Sequence, residues 1–148
     1  MRLTNFSDYA LRLLIFAASK PDDLVTISEV SRVYGISKNH LMKITNTLAK
    51  GGFVETLRGA KGGLRLARPA SDINLAAVVR LTETGSDLVE CFNSATNTCV
   101  IDQACELKHV LAGALEGFYQ SLAKVTLADV VKHPRSLNAI FKQQVERA

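Results

Sequence analysis

Apolar and polar positions repeat with a helical period along most of this chain and switch to a period of two only once. Ser7 to Ser19 reads as a first helix, with Ser7 as N-cap and Leu11, Leu14, Ile15 and Ala18 recurring at helical spacing. Pro21-Asp22-Asp23 breaks it. Thr26-Ile27-Ser28-Glu29 has the hydroxyl-to-glutamate spacing of a capping box. It opens a short helix that ends near Tyr34, where Gly35 supplies a left-handed stop. Ser37 caps the next helix, Lys38 to Lys50, in which Leu41, Ile44 and Leu48 form the inward stripe.

After Gly51-Gly52 the period becomes two. Phe53 to Leu57 and Leu64 to Ala67 read as strands, joined by the tight basic loop Arg58-Gly59-Ala60-Lys61-Gly62-Gly63 and closed by Pro69. A helix is expected from about Leu75 to Thr82, then a loop over 84–102 rich in Gly, Ser, Asn and Thr. A long helix follows, from about Gln103 to Lys124, with Leu107, Leu111, Ala114, Leu115, Phe118 and Leu122 stepping by three and four. Thr126-Leu127-Ala128-Asp129 opens a last short helix with a second capping box, and the tail from Pro134 onward carries only a weak pattern. The chain is therefore expected to be mainly α with a small β-hairpin.

Two short helices around a glycine turn, followed by a two-stranded hairpin, is the order of a winged helix-turn-helix. The second of these helices is the one that enters a major groove. Its outward residues are Ser37, Lys38, Asn39 and His40, with Lys43 and Asn46 one and two turns on; Lys reaches guanine acceptors or phosphates, and Asn pairs with adenine. The wing tip sets Arg58 and Lys61 among glycines, which let the backbone approach a phosphate or a minor groove. A nucleotide-binding P-loop does not fit this stretch, because no Lys-Ser/Thr pair and no helix follow it.

Composition agrees with a folded domain and sharpens the charge pattern. The 148 residues are 47% hydrophobic and 22% charged, with a net charge of +4. Residues 1–70 hold eleven Lys and Arg against five Asp and Glu, whereas 71–148 hold seven against nine. The basic front half fits an anionic partner such as DNA. No apolar run approaches the ~18 residues a membrane span needs. The N-terminal segment with the apolar stretch Leu11 to Ala18 also carries Asp8 and Arg12 and lacks a signal-peptide cleavage pattern, so it reads as part of the folded domain of a cytoplasmic protein. The histidines His40, His109 and His133 are scattered and suggest no acid–base pair, so no enzyme is expected.

The three cysteines are concentrated in one segment, Cys91, Cys99 and Cys105, spaced C-x7-C-x5-C. The odd number argues against a disulfide set. Between Leu81 and Leu107 there are five acidic residues and no Lys or Arg. Three soft donors in one loop suit an iron–sulphur cluster or a metal ion. A structural zinc site would want a fourth ligand, and His109 lies one helical turn beyond Cys105. A cluster with three thiolates and one weaker ligand would leave one iron labile. Taken alone, Asp8 and Arg12 read as a surface ion pair at i,i+4 near the positive end of the first helix.

The stretches MRLTNFSDYALR, ISKNHLMKI and VETLRGAKGGLRLARPA, the spaced cysteines and TLADVV together resemble the family of winged-helix iron–sulphur repressors that includes NsrR, IscR and RirA. The resemblance runs from Met1 to about Val131, and within the family it points to the nitric-oxide-sensing branch. It implies a 4Fe–4S cluster held by Cys91, Cys99 and Cys105 with Asp8 from the partner subunit, and Arg12 supporting Asp8. A 2Fe–2S cluster or zinc are the alternatives. Many members have five residues between the first two cysteines, where this chain has seven. The iron-responsive branch has the longer gap but usually shows Asn at the position of Asp8. A ligand identity changes the chemistry, whereas a loop length need not, so Asp8 sets the branch. The resemblance further implies a homodimer on palindromic double-stranded operator DNA. The organisation expected is a winged helix-turn-helix over 1–70, a cluster loop with a long dimerisation helix over 71–134, and a C-terminal tail over 135–148.

Overall fold

The computed structural model describes residues 2–59, 62–85 and 87–147. Seven helices and one hairpin are found among them. In order these are α1 (Asn5–Ala18), α2 (Ile27–Tyr34), α3 (Lys38–Lys50), β1 (Val54–Leu57), β2 (Gly63–Leu66), α4 (Leu75–Thr82), α5 (Glu106–Ala123), α6 (Leu127–Val130) and α7 (Pro134–Arg147). Among the described residues no helix is long and apolar enough to cross a membrane.

Helix α1 lies at the centre, packed against α3, α4, α6 and β2. Its fully buried side chains include Ala10, Leu13 and Leu14, which meet Leu41, Ile44 and Leu48 of α3 in the core cluster. Of the expected stripe, Leu14 is fully buried, whereas Leu11, Ile15 and Ala18 are only half-buried, because the core face is rotated by one position. The N-cap differs too. Thr4 Oγ1 accepts from the Ser7 N–H at 3.2 Å, so the cap lies three residues before Ser7 and the helix starts at Asn5. Ser7 lies inside the helix, buried, and donates from its hydroxyl to Thr82 Oγ1 at 2.8 Å.

The helix-turn-helix forms as the caps predict. Thr26 and Glu29 close the capping box of α2, Gly35 takes φ 66°, and Ser37 Oγ accepts from the His40 N–H to start α3. A side chain at Gly35 would meet no neighbour, so the requirement there is the positive φ alone. β1 and β2 pair antiparallel with Val54 opposite Leu66. The hairpin is tied to the chain before α2 by two bonds between Val25 and Leu64, at 2.8 and 2.9 Å. This approach is close enough that a Cβ on Gly63 would lie 2.8 Å from the Val25 carbonyl oxygen. At the wing base, Arg68 donates to the carbonyls of Gly51 and Gly52 and stacks on Phe53.

The tail is ordered as a fourteen-residue helix, α7, which folds back onto α1 and α2. Phe141 is buried against Phe16, 4.9 Å between ring centroids, and against Tyr34. Asn138 bonds Ser19 twice, accepting from its hydroxyl and donating to its carbonyl.

Candidate DNA-reading face and cysteine segment

The outward face of α3 carries the residues expected there. Ser37, Lys38, Asn39, His40, Lys43 and Asn46 are all exposed. Ser37 also serves as the cap, so its oxygen lone pairs are partly committed to the His40 N–H. One residue on this face was missed by the apolar stripe: Met42 is 46% exposed, one turn on from Lys38. An exposed thioether among polar groups offers the apolar contact that suits a thymine methyl. Arg58 is exposed at the wing, while Lys61 lies outside the described residues. Arg65 is not a free cation, because it pairs with Glu55 across the hairpin.

Asp8 and Arg12 form the i,i+4 pair expected from their spacing. The carboxylate is held at two points, Nε at 3.0 Å and Nη2 at 2.7 Å, with both side chains more than 40% exposed. The guanidinium also lies 5.7 Å from the Tyr9 ring centroid and 5.9 Å from that of Tyr34. Burial pushes the Tyr34 phenol up to about 12, against the pull of the Arg12 charge. Tyr9, next to Asp8, meets His40 of α3 edge-on at 5.6 Å.

The start of α1 is stapled to the root of the cysteine segment. The backbone N–H and hydroxyl of Thr4 both donate to Glu83 Oε1, at 2.8 and 3.0 Å, and Ser7 bonds Thr82 beneath them. Sequence patterns alone could not flag this staple, because Thr4, Ser7, Thr82 and Glu83 come together only when the fold brings α1 and α4 into contact.

The cysteine segment itself has little regular structure. Cys91 sits in a single 3-10 turn, Glu90–Phe92, and a second turn, Asp102–Ala104, leads into α5 with Cys105 as its N-cap residue. Asn97 Oδ1 accepts from the Cys99 N–H, and Thr98 donates to Glu90, drawing the two limbs together. Lys108 reaches back from α5 to Asp102 at 2.6 Å. All three thiols are free and half-buried.

Among the described residues no three His, Cys, Asp or Glu side chains converge closely enough to hold one metal ion. The donor chemistry nevertheless fits an iron–sulphur cluster. Three soft thiols lie on one acidic segment, and thiolates are the donors that iron–sulphur clusters take. Within one subunit the ion-pair partner of Asp8 is Arg12, and no bond joins Asp8 to the cysteine segment among the described residues.

Helix α5 has no buried residue. Leu111, Leu115, Phe118 and Leu122 are half-buried, and α5 packs on α4. Leu107 and Val110 are 61% and 66% exposed, and Val100 of the cysteine segment is 97% exposed.

The family model for an "iron-dependent transcriptional regulator", Rrf2, matches residues 3–133. The NsrR regulator of Bacillus subtilis is 47% identical over 145 residues, covering 97% of this chain and 99% of that protein. The NsrR of Halalkalibacterium halodurans is 45% identical over 143 residues, covering 96% of this chain and 98% of that protein. Among solved structures, IscR from T. potens superposes with a TM-score of 0.71 at 22% identity, covering 89% of this chain and 87% of that one. Oxidised CymR from Staphylococcus aureus gives 0.70 at 23%, covering 90% and 98%.

Proposed function

Because the chain belongs to the Rrf2 family of transcriptional regulators, DNA-binding proteins rather than enzymes, we propose that it is a cytoplasmic, homodimeric repressor of palindromic operators whose DNA affinity depends on a 4Fe–4S cluster and is released by nitric oxide. The relatives named NsrR, the three free thiols and Asp8 support this reading. Cys91, Cys99 and Cys105 of one subunit and Asp8 of the partner subunit would hold the cluster, which when bound supplies the irons that react with nitric oxide. A carboxylate is a hard, weak ligand beside soft thiolates, so the Asp8 position is the labile one.

Arg12, paired to the Asp8 carboxylate at two points, would orient it as a ligand and would keep hold of it once released. Loss of the Asp8 contact would shift helix α1 relative to the partner subunit. Tyr9 and the buried face of α1 carry that shift to α3, which reads the DNA. The uncovered apolar residues Val100, Leu107 and Val110 supply the surface that the second subunit covers. Two copies of α3 then address operator half-sites one helical turn apart.

The observation that carries this reading is that one helix holds Asp8, contacts the recognition helix through Tyr9, and is stapled at its start to the root of the cysteine segment. The test is a nitric oxide titration of anaerobically reconstituted protein bound to a fluorescent operator duplex. Release in step with bleaching of the cluster's visible absorbance is expected. Full retention of affinity after complete bleaching contradicts the proposal.

A further inference from the structure

Lys108 is the first Lys or Arg after Arg80, and residues 81–107 contain none. Arg80 is occupied elsewhere, paired with Glu116 and stacked on Tyr119. Lys108 is pinned to Asp102, which lies three residues after Cys99 and three before Cys105. The two side chains are 30% and 25% exposed, whereas the Arg12–Asp8, Lys20–Glu29, Arg65–Glu55 and Arg80–Glu116 pairs each have at least one partner 41% exposed or more. The Asp102 hydrogen bond outweighs a desolvation penalty and, helped by the charges of Asp102, Cys91 and Cys105, holds the ammonium above its ordinary value. Lys108 lies three residues beyond Cys105, the N-cap residue of α5, and its ammonium is turned back toward the cysteine segment by the Asp102 carboxylate.

We propose that Lys108 and Asp102 form a charge-balanced pair that sets the reduction potential of the cluster held by the cysteine segment. Lys108 is a positioning residue that offsets thiolate charge, and Asp102 both fixes it there and attenuates it. This rests on the cluster reading given above. Three thiolates and one carboxylate leave an oxidised 4Fe–4S centre net negative, so a further electron is opposed by charge repulsion. A fixed cation nearby lowers that opposition, and a bare carboxylate increases it. The step is a one-electron reduction, with the electron delivered from an electrode through a soluble mediator and no bond made or broken at the protein.

The test is a mediated redox titration of the anaerobically reconstituted full-length dimer. Lys108→Gln leaves Asp102 as an uncompensated negative charge, and the potential shifts to more negative values. Asp102→Asn leaves the ammonium unattenuated, and the potential shifts the opposite way. The double variant returns close to wild type, and Lys108→Arg stays near it. A pair that merely latched the loop would move both single variants in the same direction. Shifts of the same sign, or no shift in either, overturn the proposal. Should Lys108→Gln fail to load the cluster, Asp102→Asn alone decides, a positive shift supporting the pair and a zero or negative shift overturning it. A wild-type protein that takes up no iron and sulfide overturns the cluster reading itself, and the tuning role with it.

Discussion

Tyr9 presents its ring edge-on to His40, with centroids 5.6 Å apart and planes at 88°. The contact joins the residue beside Asp8 to the start of the recognition helix. A pair of this geometry adds about 1 kcal/mol beyond area burial, enough to bias α3 but too little to hold the fold. Tyr9→Ala is expected to leave the protein folded while narrowing the affinity gap between cluster-loaded and apo protein. Operator titrations of both forms check this, and an unchanged gap removes Tyr9 from the coupling route.

The exposed groups of α3 and the wing separate by role. Lys43→Ala and Arg58→Ala are expected to weaken binding to all sequences and each to lower the salt slope by about 1. Arg65→Ala is expected to leave the slope unchanged, because that guanidinium is paired with Glu55. Met42→Ala is expected to reduce preference for the best operator at constant slope, since an apolar contact releases no counterions. Binding measured across a salt series for operator and random DNA separates these outcomes, and a slope change with Arg65 would reassign it to the interface.

Helix α7 is expected to stabilise the domain that it folds back upon. Phe141 fills space against Phe16 and Tyr34, so Phe141→Ala should cost about 3 kcal/mol. Urea denaturation of the apo protein reads this directly. A loss under about 0.5 kcal/mol, the usual range for surface sites, would mean that α7 detaches in solution.

Acid should weaken the start of α2. Burial works to raise the Glu29 carboxyl, but the bonds from the Thr26 N–H and hydroxyl and the charge of Lys20 outweigh it and hold it below its ordinary 4.5. A depressed folded value means that the added stability is present above 4.5 and lost as pH falls through the lower folded value. Glu29→Gln is therefore expected to lower the melting temperature at neutral pH, with the difference from wild type closing on acidification. A difference independent of pH would assign the effect to packing rather than charge.

Local chemistry was legible in the sequence wherever a few neighbouring residues decide the outcome. The capping boxes at Thr26 and Thr126, the Gly35 stop and the α3 stripe all formed as their spacing requires. Long-range features were hidden. Ser7 looks like a cap until the fold buries it against Thr82, and Thr4 takes the capping role. The tail has weak periodicity because Phe141 and Asn138 gain their meaning only from Phe16 and Ser19, more than a hundred residues away. The cysteines were visible as a group of soft donors, but the Lys108–Asp102 pair and the Thr4–Glu83 staple emerge only once the segment is folded.

Asp8 closing the cluster of the opposite subunit is tested most directly with mixed dimers. One chain keeps its cysteines but carries Asp8→Ala; the other keeps Asp8 but carries Cys91→Ala, Cys99→Ala and Cys105→Ala. Such a dimer holds one complete site only if cysteines and aspartate come from different subunits. The predicted result is one cluster per mixed dimer, with the lifetime of the wild-type cluster under a chelator challenge. A lifetime as short as that of the Asp8→Ala homodimer would contradict closure by the partner's Asp8.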